Sequence, residues 1–404
     1  MMLRLLLPAL VLAFPPLSAP AAACPFCPTA GQTLSGEVAS ADFILFGKLV
    51  NPKQDTTDPT ALNKGTTEME VELVIKSHDM IKGKKTVTLP RFVPPDGKDQ
   101  KYLIFFNVFN GQIDPYRGEP VSADSKLPDY LKGAIEVKSK DTQTRMKFFF
   151  DFLESSDLVI STDAFSEFGV ADYKDVRPLA EKLDPAVIMK WLKDPNTRAS
   201  RFGLYGLLIG HCGKASDAKA IRELLNDSTR AYSSGLDGVM AGYIMLDQKA
   251  GWEYLTALVK DAKQEFPVRY AALKTVRFFW EYRPDVIPNK QVLEAMHALM
   301  EQPDLADLPM EDLRKWKCWD QTPKVLAYAE KESHNTIPIV ARAMLKFALN
   351  AAKEDPKNAA AVEFVRQQRE KNPKKVEFLE DLLKDELKPT PPPPAKTEAP
   401  ARPN

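Results

Sequence analysis

Before residue 144 the chain mostly alternates apolar and polar side chains. Residues 43–49 and 69–75 place apolar side chains at every second position, which is typical of a strand with one buried face. Residues 86–89 give a shorter pattern of the same kind. Residues 102–106 are apolar throughout and predict a strand that is buried on both faces.

Two further features complete this first part of the chain. Asn110 and Gly111 both accept positive φ, so the pair predicts a tight hairpin turn after the apolar strand. Residues 127–138 repeat apolar side chains with a helical period and predict a closing helix. Several strands with one or two helices predict a small barrel or α+β domain.

From about residue 144 onward, apolar side chains recur at i, i+3, i+4 and i+7, the spacing of a helix that packs on one face. Asp184 before Pro185, and Thr322 before Pro323, each place a capping residue ahead of a proline at the first helical position. The predicted helices are 145–153, 185–193, 200–209, 217–225, 229–246, 251–262, 268–282, 290–300, 322–331, 337–352, 359–371 and 373–387. Short helices without strands between them predict a stack of helical pairs.

One predicted helix shares four identities with another that follows 72 positions later. The matching residues are Val268, Ala271, Leu273 and Lys274 in the first, and Val340, Ala343, Leu345 and Lys346 in the second. Paired-helix repeats have periods of roughly 34 to 47 residues, so this offset is the length of two repeats. The region 145–386 therefore resembles a HEAT-like helical array. An irregular helical bundle is the alternative.

The sequence predicts an α+β protein of several domains, in which a small N-terminal β-barrel precedes an α-helical HEAT-like solenoid. We expect a signal peptide over 1–23, the β domain over 24–140 and the helical domain over 141–387. Residues 388–404 are rich in proline, alanine and charged side chains, and predict a disordered tail. Such a tail is typical of a solubilising extension or a tether, with a proline-motif ligand as the alternative.

The N-terminus has the pattern of an export signal. Arg4 precedes an apolar stretch, and the small residues 18–23 lead up to Cys24. The stretch is too short for a spanning helix, which needs about 20 residues. We expect cleavage before Cys24 and a soluble periplasmic or secreted protein without a membrane span. The alternative is a lipoprotein anchored through Cys24.

Charge and motif content exclude several classes of function. Lysine plus arginine and aspartate plus glutamate both number 55, so no net charge attracts nucleic acid. The four histidines, His78, His211, His297 and His334, lack the spacing of a zinc pair on a helix. Signatures of metalloproteases, serine hydrolases, P-loops and dinucleotide-binding folds are missing from the sequence. We expect a non-enzymatic protein that uses no cofactor and no metal.

The four cysteines include one close pair, Cys24 and Cys27, with Pro25 and Phe26 between them. We expect these two to form a local disulfide, since the predicted compartment is oxidising. Lipidation of Cys24, metal capture and redox activity remain open alternatives. A redox-active pair normally follows a buried strand, and no strand can precede Cys24 in the mature chain.

A cysteine-bearing N-terminus followed by the strand patterns at 41–49, 70–76 and 101–106 resembles the netrin-like OB-fold domain of tissue inhibitors of metalloproteases. That resemblance implies an OB barrel and, by carry-over, Cys24 as a ligand of a protease zinc. The chain is also similar to exported proteins of planctomycete bacteria, in phrases such as 202–206 and 311–316. This second resemblance implies no activity.

The helical region has one place where large aromatic residues and arginines coincide. Trp280 and Arg283 lie near the end of the predicted helix 268–282, and Arg314 and Trp316 lie between the predicted helices 290–300 and 322–331. Tryptophan and arginine dominate binding hot spots, so these four residues predict a surface for a protein partner. We expect an interaction or scaffold protein. The rival functions are thiol–disulfide exchange by Cys24 and Cys27, and protease inhibition by the N-terminal domain.

Overall fold

The computed structural model describes most of the chain in six stretches. These are residues 25–27, 31–57, 63–94, 100–122, 124–227 and 234–386. The predicted signal peptide, Cys24 and the tail at 388–404 lie outside the described residues. The chain divides into two compact units, of which the first ends at Gly242 and the second begins at Tyr243. The first unit therefore contains the β-sheet together with several helices, and the second unit is helical.

Across the described residues the fold is α+β, with five strands and eighteen α-helices. The strands are β1 (Phe43–Gln54), β2 (Gly65–Lys76), β3 (Thr86–Leu89), β4 (Lys101–Phe109) and β5 (Gln112–Val121). The helices are α1 (Leu34–Ser40), α2 (Leu127–Lys138), α3 (Thr142–Asp151), α4 (Leu158–Val170), α5 (Tyr173–Ala180), α6 (Pro185–Lys193), α7 (Phe202–Cys212), α8 (Ala218–Asn226), α9 (Leu236–Leu246), α10 (Gln248–Lys260), α11 (Phe266–Tyr282), α12 (Asn289–Met300), α13 (Asp307–Lys315), α14 (Thr322–Leu326), α15 (Glu332–Asn335), α16 (Pro338–Glu354), α17 (Ala359–Lys371) and α18 (Pro373–Glu386).

The sheet of the first unit is antiparallel, with the strand order β3-β2-β1-β4-β5. The central strand β1 pairs with β4, where Phe43 lies opposite Phe106 and their rings stack at 4.4 Å. The predicted turn at Asn110 and Gly111 is confirmed, because φ is 49° and 74° there and β4 pairs directly with β5. The strand predicted to be buried on both faces is also confirmed, as Leu103 and Ile104 point to opposite faces and both are buried.

Short α1 connects the sheet to the helices of the first unit, and remote side chains bind both of its ends. At its N-terminus, Asp163 of α4 accepts hydrogen bonds from the backbone of Leu34 at 2.6 Å and from Ser35. At its C-terminus, the ammonium of Lys76 donates to the carbonyls of Ala39 and Ala41. Both contacts match the helix dipole, which favours an anion at the first end and a cation at the second.

Helices α7 and α9 approach each other so closely that their contact positions must be glycines. A Cβ atom on Gly238 would lie 2.1 Å from the carbonyl oxygen of Gly203, and one on Gly206 would lie 2.5 Å from the backbone of Gly238. Helix α7 is apolar around its full circumference, and its residues from Phe202 to Ile209 are buried. A helix of this kind belongs in a protein interior, so this pair forms a central packing layer of the first unit.

The second unit contains two helix pairs at the offset that the sequence identities indicate. Helices α11 (266–282) and α16 (338–354) are displaced by 72 residues at both ends, and each carries a proline in its first turn. Helices α12 and α17, which follow them, match at the same offset to within two residues. Helix α11 packs on α12, and α16 packs on α17. Two helix pairs of similar length therefore recur within this unit.

Candidate binding surface

The two tryptophans of the predicted surface lie against each other in the second unit. Trp280 is in the last turn of α11, and Trp316 directly follows α13. Their rings stack with centroids 4.5 Å apart and an angle of 15° between the planes. Both are half-buried, with one side packed on the core of this unit, while the neighbouring Phe278 and Phe279 are buried completely. We call these two side chains the tryptophan pair.

A partly buried ion pair connects α11 and α13 near the tryptophan pair. Arg277 donates to the carboxylate of Asp312 at 2.6 Å. Burial raises the pKa of Asp312, and the adjacent Arg277 guanidinium acts in the opposite direction. Burial also raises the pKa of Glu281, which a side-chain interaction with Trp316 partly opposes. The Arg277–Asp312 ion pair thus joins α11 and α13 one turn away from the two indoles.

The indole N–H of Trp280 is unused within the part of the chain that the structure describes, where no side chain or carbonyl accepts it. A half-buried tryptophan normally finds an acceptor for this group, either in the protein or in a partner. The tryptophan pair therefore combines a flat apolar face with an available hydrogen-bond donor, which is the combination found at binding hot spots.

The first predicted arginine, Arg283, is already engaged within the second unit. It follows α11 directly, and its guanidinium binds both carboxylate oxygens of Asp285 at 2.8 and 2.9 Å. One nitrogen also lies 3.1 Å from the sulfur of Met245. Its side chain is 12% exposed. The positive charge of Arg283 is therefore largely compensated, although its outer edge still reaches solvent.

The second predicted arginine, Arg314, lies in a network of four charges. Its guanidinium binds Glu311 and Glu386, each at 2.8 Å, and Lys346 bridges the same two carboxylates at 3.0 and 2.7 Å. Only 8% of the Arg314 side chain is exposed. The network joins α13, α16 and α18, and its members Arg314 and Glu386 line a cavity of about 240 Å³. The structure thus gives Arg314 a role in holding α18, which the sequence pattern did not reveal.

The described part of the CxxC segment packs on the glycine-rich helix α7. The carbonyl oxygen of Phe26 would lie 2.6 Å from a Cβ atom on Gly203, and both Phe26 and Cys27 are buried. The disulfide predicted between Cys24 and Cys27 involves a residue outside the described stretches and stays a prediction. The remaining two cysteines, Cys212 and Cys318, are free thiols whose burial raises the pKa of each to about 11. Neither thiol is suited to nucleophilic chemistry near neutral pH.

The histidines of the helical region are used in hydrogen bonds between elements. His211 bonds the hydroxyl of Tyr173 at 3.0 Å, and buried His334 bonds the carbonyl of Met300 at 2.9 Å. Within the described stretches, no cluster of three or more histidine, cysteine, aspartate or glutamate side chains could hold a metal ion. No helix in those stretches is long and apolar enough to cross a membrane.

Comparisons with known protein families, with curated proteins and with solved structures found no match to this chain.

Proposed function

We propose that this is an exported, non-enzymatic interaction protein that binds a protein partner through the tryptophan pair of its second unit. The observation that carries the proposal is the stacked, half-buried pair Trp280 and Trp316 with an indole N–H left available for an acceptor. Fully buried tryptophans would be core residues, and isolated exposed ones would lack a defined geometry. A stacked pair presents a rigid surface, so a partner binds it with little loss of side-chain entropy.

We further propose that the helical region is a HEAT-like array. The support is the offset of 72 residues between α11 and α16, which α12 and α17 match to within two residues. In such arrays the repeated inner helices line an extended surface, which suits recognition of another protein. The tryptophan pair lies at the end of α11, the first helix of the recurring set.

For the N-terminal sheet we propose an OB-type barrel. The strand order β3-β2-β1-β4-β5 leaves β3 and β5 as the edges, and these two edge strands lie near each other. A five-stranded barrel of this kind closes between its third and fifth strands. A small cavity of about 190 Å³, lined by Leu89 of β3 and by Gly118 of β5 among others, occupies the same edge.

The rival functions depend on Cys24 and Cys27. Burial of Cys27 against α7 favours a structural bridge over thiol–disulfide exchange, because a catalytic thiol needs solvent access. Measuring the reduction potential of the pair separates the two, since structural disulfides typically lie below about −300 mV. Inhibition of a purified zinc protease by the intact protein would instead support the function implied by the netrin-like resemblance.

The test of the main proposal uses Trp280→Leu, which keeps an apolar side chain against the core but removes the flat ring and its N–H. Proteins captured from the envelope fraction by the wild-type chain are identified, purified and titrated against each variant. We expect the affinity of the dominant partner to fall about thirtyfold, the effect of losing a hot-spot residue.

The matched control is Trp252→Leu. Trp252 is also half-buried in the second unit and packs edge-to-face on Phe279 at 6.1 Å, so its replacement removes similar packing away from the tryptophan pair. We expect its affinity for the partner to stay within about threefold of wild type. Equal loss of affinity in both variants, or no loss in Trp280→Leu, would show that the contact lies elsewhere.

A further inference from the structure

The first unit contains a second candidate site, which is independent of the tryptophan pair. It is a cavity of about 230 Å³ among α1, α2, α3, α4 and the end of β2. An engineered cavity of about 150 Å³ in another protein is large enough to bind benzene. The cavity of the first unit therefore has room for one ring, or a short alkyl chain, with a small polar group attached.

The inner wall of the cavity is apolar. It is formed by Val38 of α1, Ala134 and Ile135 of α2, and Phe149 of α3. Of these, Val38, Ala134 and Phe149 are buried. These positions come from three different helices, of which α1 is held at both ends by Asp163 and Lys76. The wall is therefore preformed, and a ligand would enter without reorganising the chain.

The polar side of the cavity carries an excess of positive charge. Lys76, Lys138 and Arg145 line it, against the single carboxyl group of Glu167. Lys76 is occupied by the carbonyl groups at the end of α1. Burial raises the pKa of Glu167, and a side-chain hydrogen bond with Thr33 and the charge of Arg145 partly oppose this shift.

Two of these cations make no hydrogen bond or ion-pair contact within the described part of the chain, although the charge of Arg145 also acts on the carboxyl group of Glu167. Neither the guanidinium of Arg145 nor the ammonium of Lys138 makes a hydrogen bond or ion pair with a described residue. Arg145 is half-buried and offers a planar fork of donors that matches a carboxylate. Lys138, at the C-terminal end of α2, adds a second donor at the same rim.

We propose that this cavity binds a small organic carboxylate, whose apolar body lies between Val38, Ala134 and Phe149 while Arg145 and Lys138 bind its carboxylate. The apolar wall excludes an inorganic anion as the preferred ligand, since such an ion would leave that wall uncovered. The excess of cations over carboxylates excludes an amine. The first unit would then bind a small ligand, in addition to the partner surface proposed for the second unit.

Calorimetric titration of the full chain with 3-phenylpropionate tests the proposal. This probe combines one aromatic ring with one carboxylate. The neutral probe 3-phenylpropanol has the same apolar body, and acetate has the carboxylate without the body. We expect saturable binding of the acid, binding of the alcohol at least about tenfold weaker, and no saturable binding of acetate.

Two variants locate the binding. Arg145→Gln should weaken binding of the acid about tenfold while leaving binding of the alcohol unchanged. The control is Lys140→Gln, because Lys140 is exposed, lies two residues after Lys138 and does not line the cavity. It should change the affinity for neither probe. Ala39→Trp places an indole at the exposed mouth of the cavity and should abolish binding of both probes.

The proposal is overturned if the alcohol binds as tightly as the acid, or if Ala39→Trp leaves binding intact. Equal weakening by Arg145→Gln and Lys140→Gln would also overturn it, because the effect would then reflect overall charge. Should Arg145→Gln prove unstable in thermal unfolding, the Ala39→Trp variant and the comparison of acid with alcohol still decide the outcome.

Discussion

Asp163 of α4 connects α1 and α2 of the first unit through hydrogen bonds, and we expect its loss to destabilise this unit. Its carboxylate is 4% exposed and accepts hydrogen bonds from the Leu34 amide at 2.6 Å, the Ser35 hydroxyl at 2.6 Å and the Tyr130 hydroxyl at 2.8 Å. Burial, followed by the charge of Asp163, raises the pKa of Tyr130, so its hydroxyl remains a donor throughout the accessible pH range.

Replacing Asp163 by alanine leaves several of these donors without an acceptor. Each buried donor that loses its partner costs about 1 to 3 kcal/mol. The Leu34 amide and the Tyr130 hydroxyl are the two that water reaches least, because Tyr130 is buried completely and α1 covers the site. We therefore expect Asp163→Ala to lower the free energy of unfolding of the first unit by about 3 to 5 kcal/mol.

Hydrogen exchange measured by mass spectrometry gives a local readout, since the amides of α1 should exchange faster in the variant while those of α11 do not change. The matched control is Asp141→Ala. Asp141 also accepts an N-terminal amide, that of Thr144 in α3 at 3.0 Å, but it is exposed and local. Its loss should cost about 1 kcal/mol. Similar losses of unfolding free energy in the two variants would refute the inference that Asp163 is a buried tertiary cap of α1.

The remaining predictions concern packing, pH and the tail. Gly238→Ala should destabilise the first unit by about 3 kcal/mol or more in urea unfolding, because its Cβ would lie 2.1 Å from the Gly203 carbonyl; Gly118→Ala, whose nearest neighbour would be 3.9 Å away, should change it by less than about 1 kcal/mol. Since burial raises the pKa of Glu167 above its ordinary 4.5, its protonated form contributes stability below that pH, and this contribution is lost as pH rises through the folded-state pKa. Glu167→Gln should thus raise the melting temperature at pH 8 but not at pH 4, and a gain at pH 4 alone would contradict this. Deleting residues 388–404 should leave the melting temperature unchanged, as a proline-rich segment without an apolar face buries little surface; a fall of several degrees would show that the tail docks.

Helices with a clean apolar face and clear end signals could be predicted from the sequence to the residue. The predictions 127–138, 185–193 and 359–371 coincide with α2, α6 and α17. Helix α4 was missed because its buried face includes polar Ser161 and Asp163, whose burial depends on partners elsewhere in the chain. The predicted helix 322–331 is divided in the structure into α14 and a following 3-10 turn.

The composition of the candidate surface could be predicted, but its charge balance could not. The helical period places Trp280 near the end of a predicted helix but predicts no helix over 307–315. The stacking of Trp280 on Trp316 depends on the packing of α11 beside α13 and could not be predicted. The positive charge of Arg314 is compensated in part by Glu386, which lies 72 residues further along the chain. No local pattern contains that information, so a residue expected to reach a partner was found holding α18 instead.

The way in which α1 is held also determines when it can form. A helix of seven residues is not stable alone in water. Its C-terminal partner Lys76 follows 35 residues after Ala41, and its N-terminal partner Asp163 follows 129 residues after Leu34. Although α1 is the first helix of the described chain, it therefore orders late, after α4 has been synthesised and has packed. Such long-range closure slows the folding of this unit.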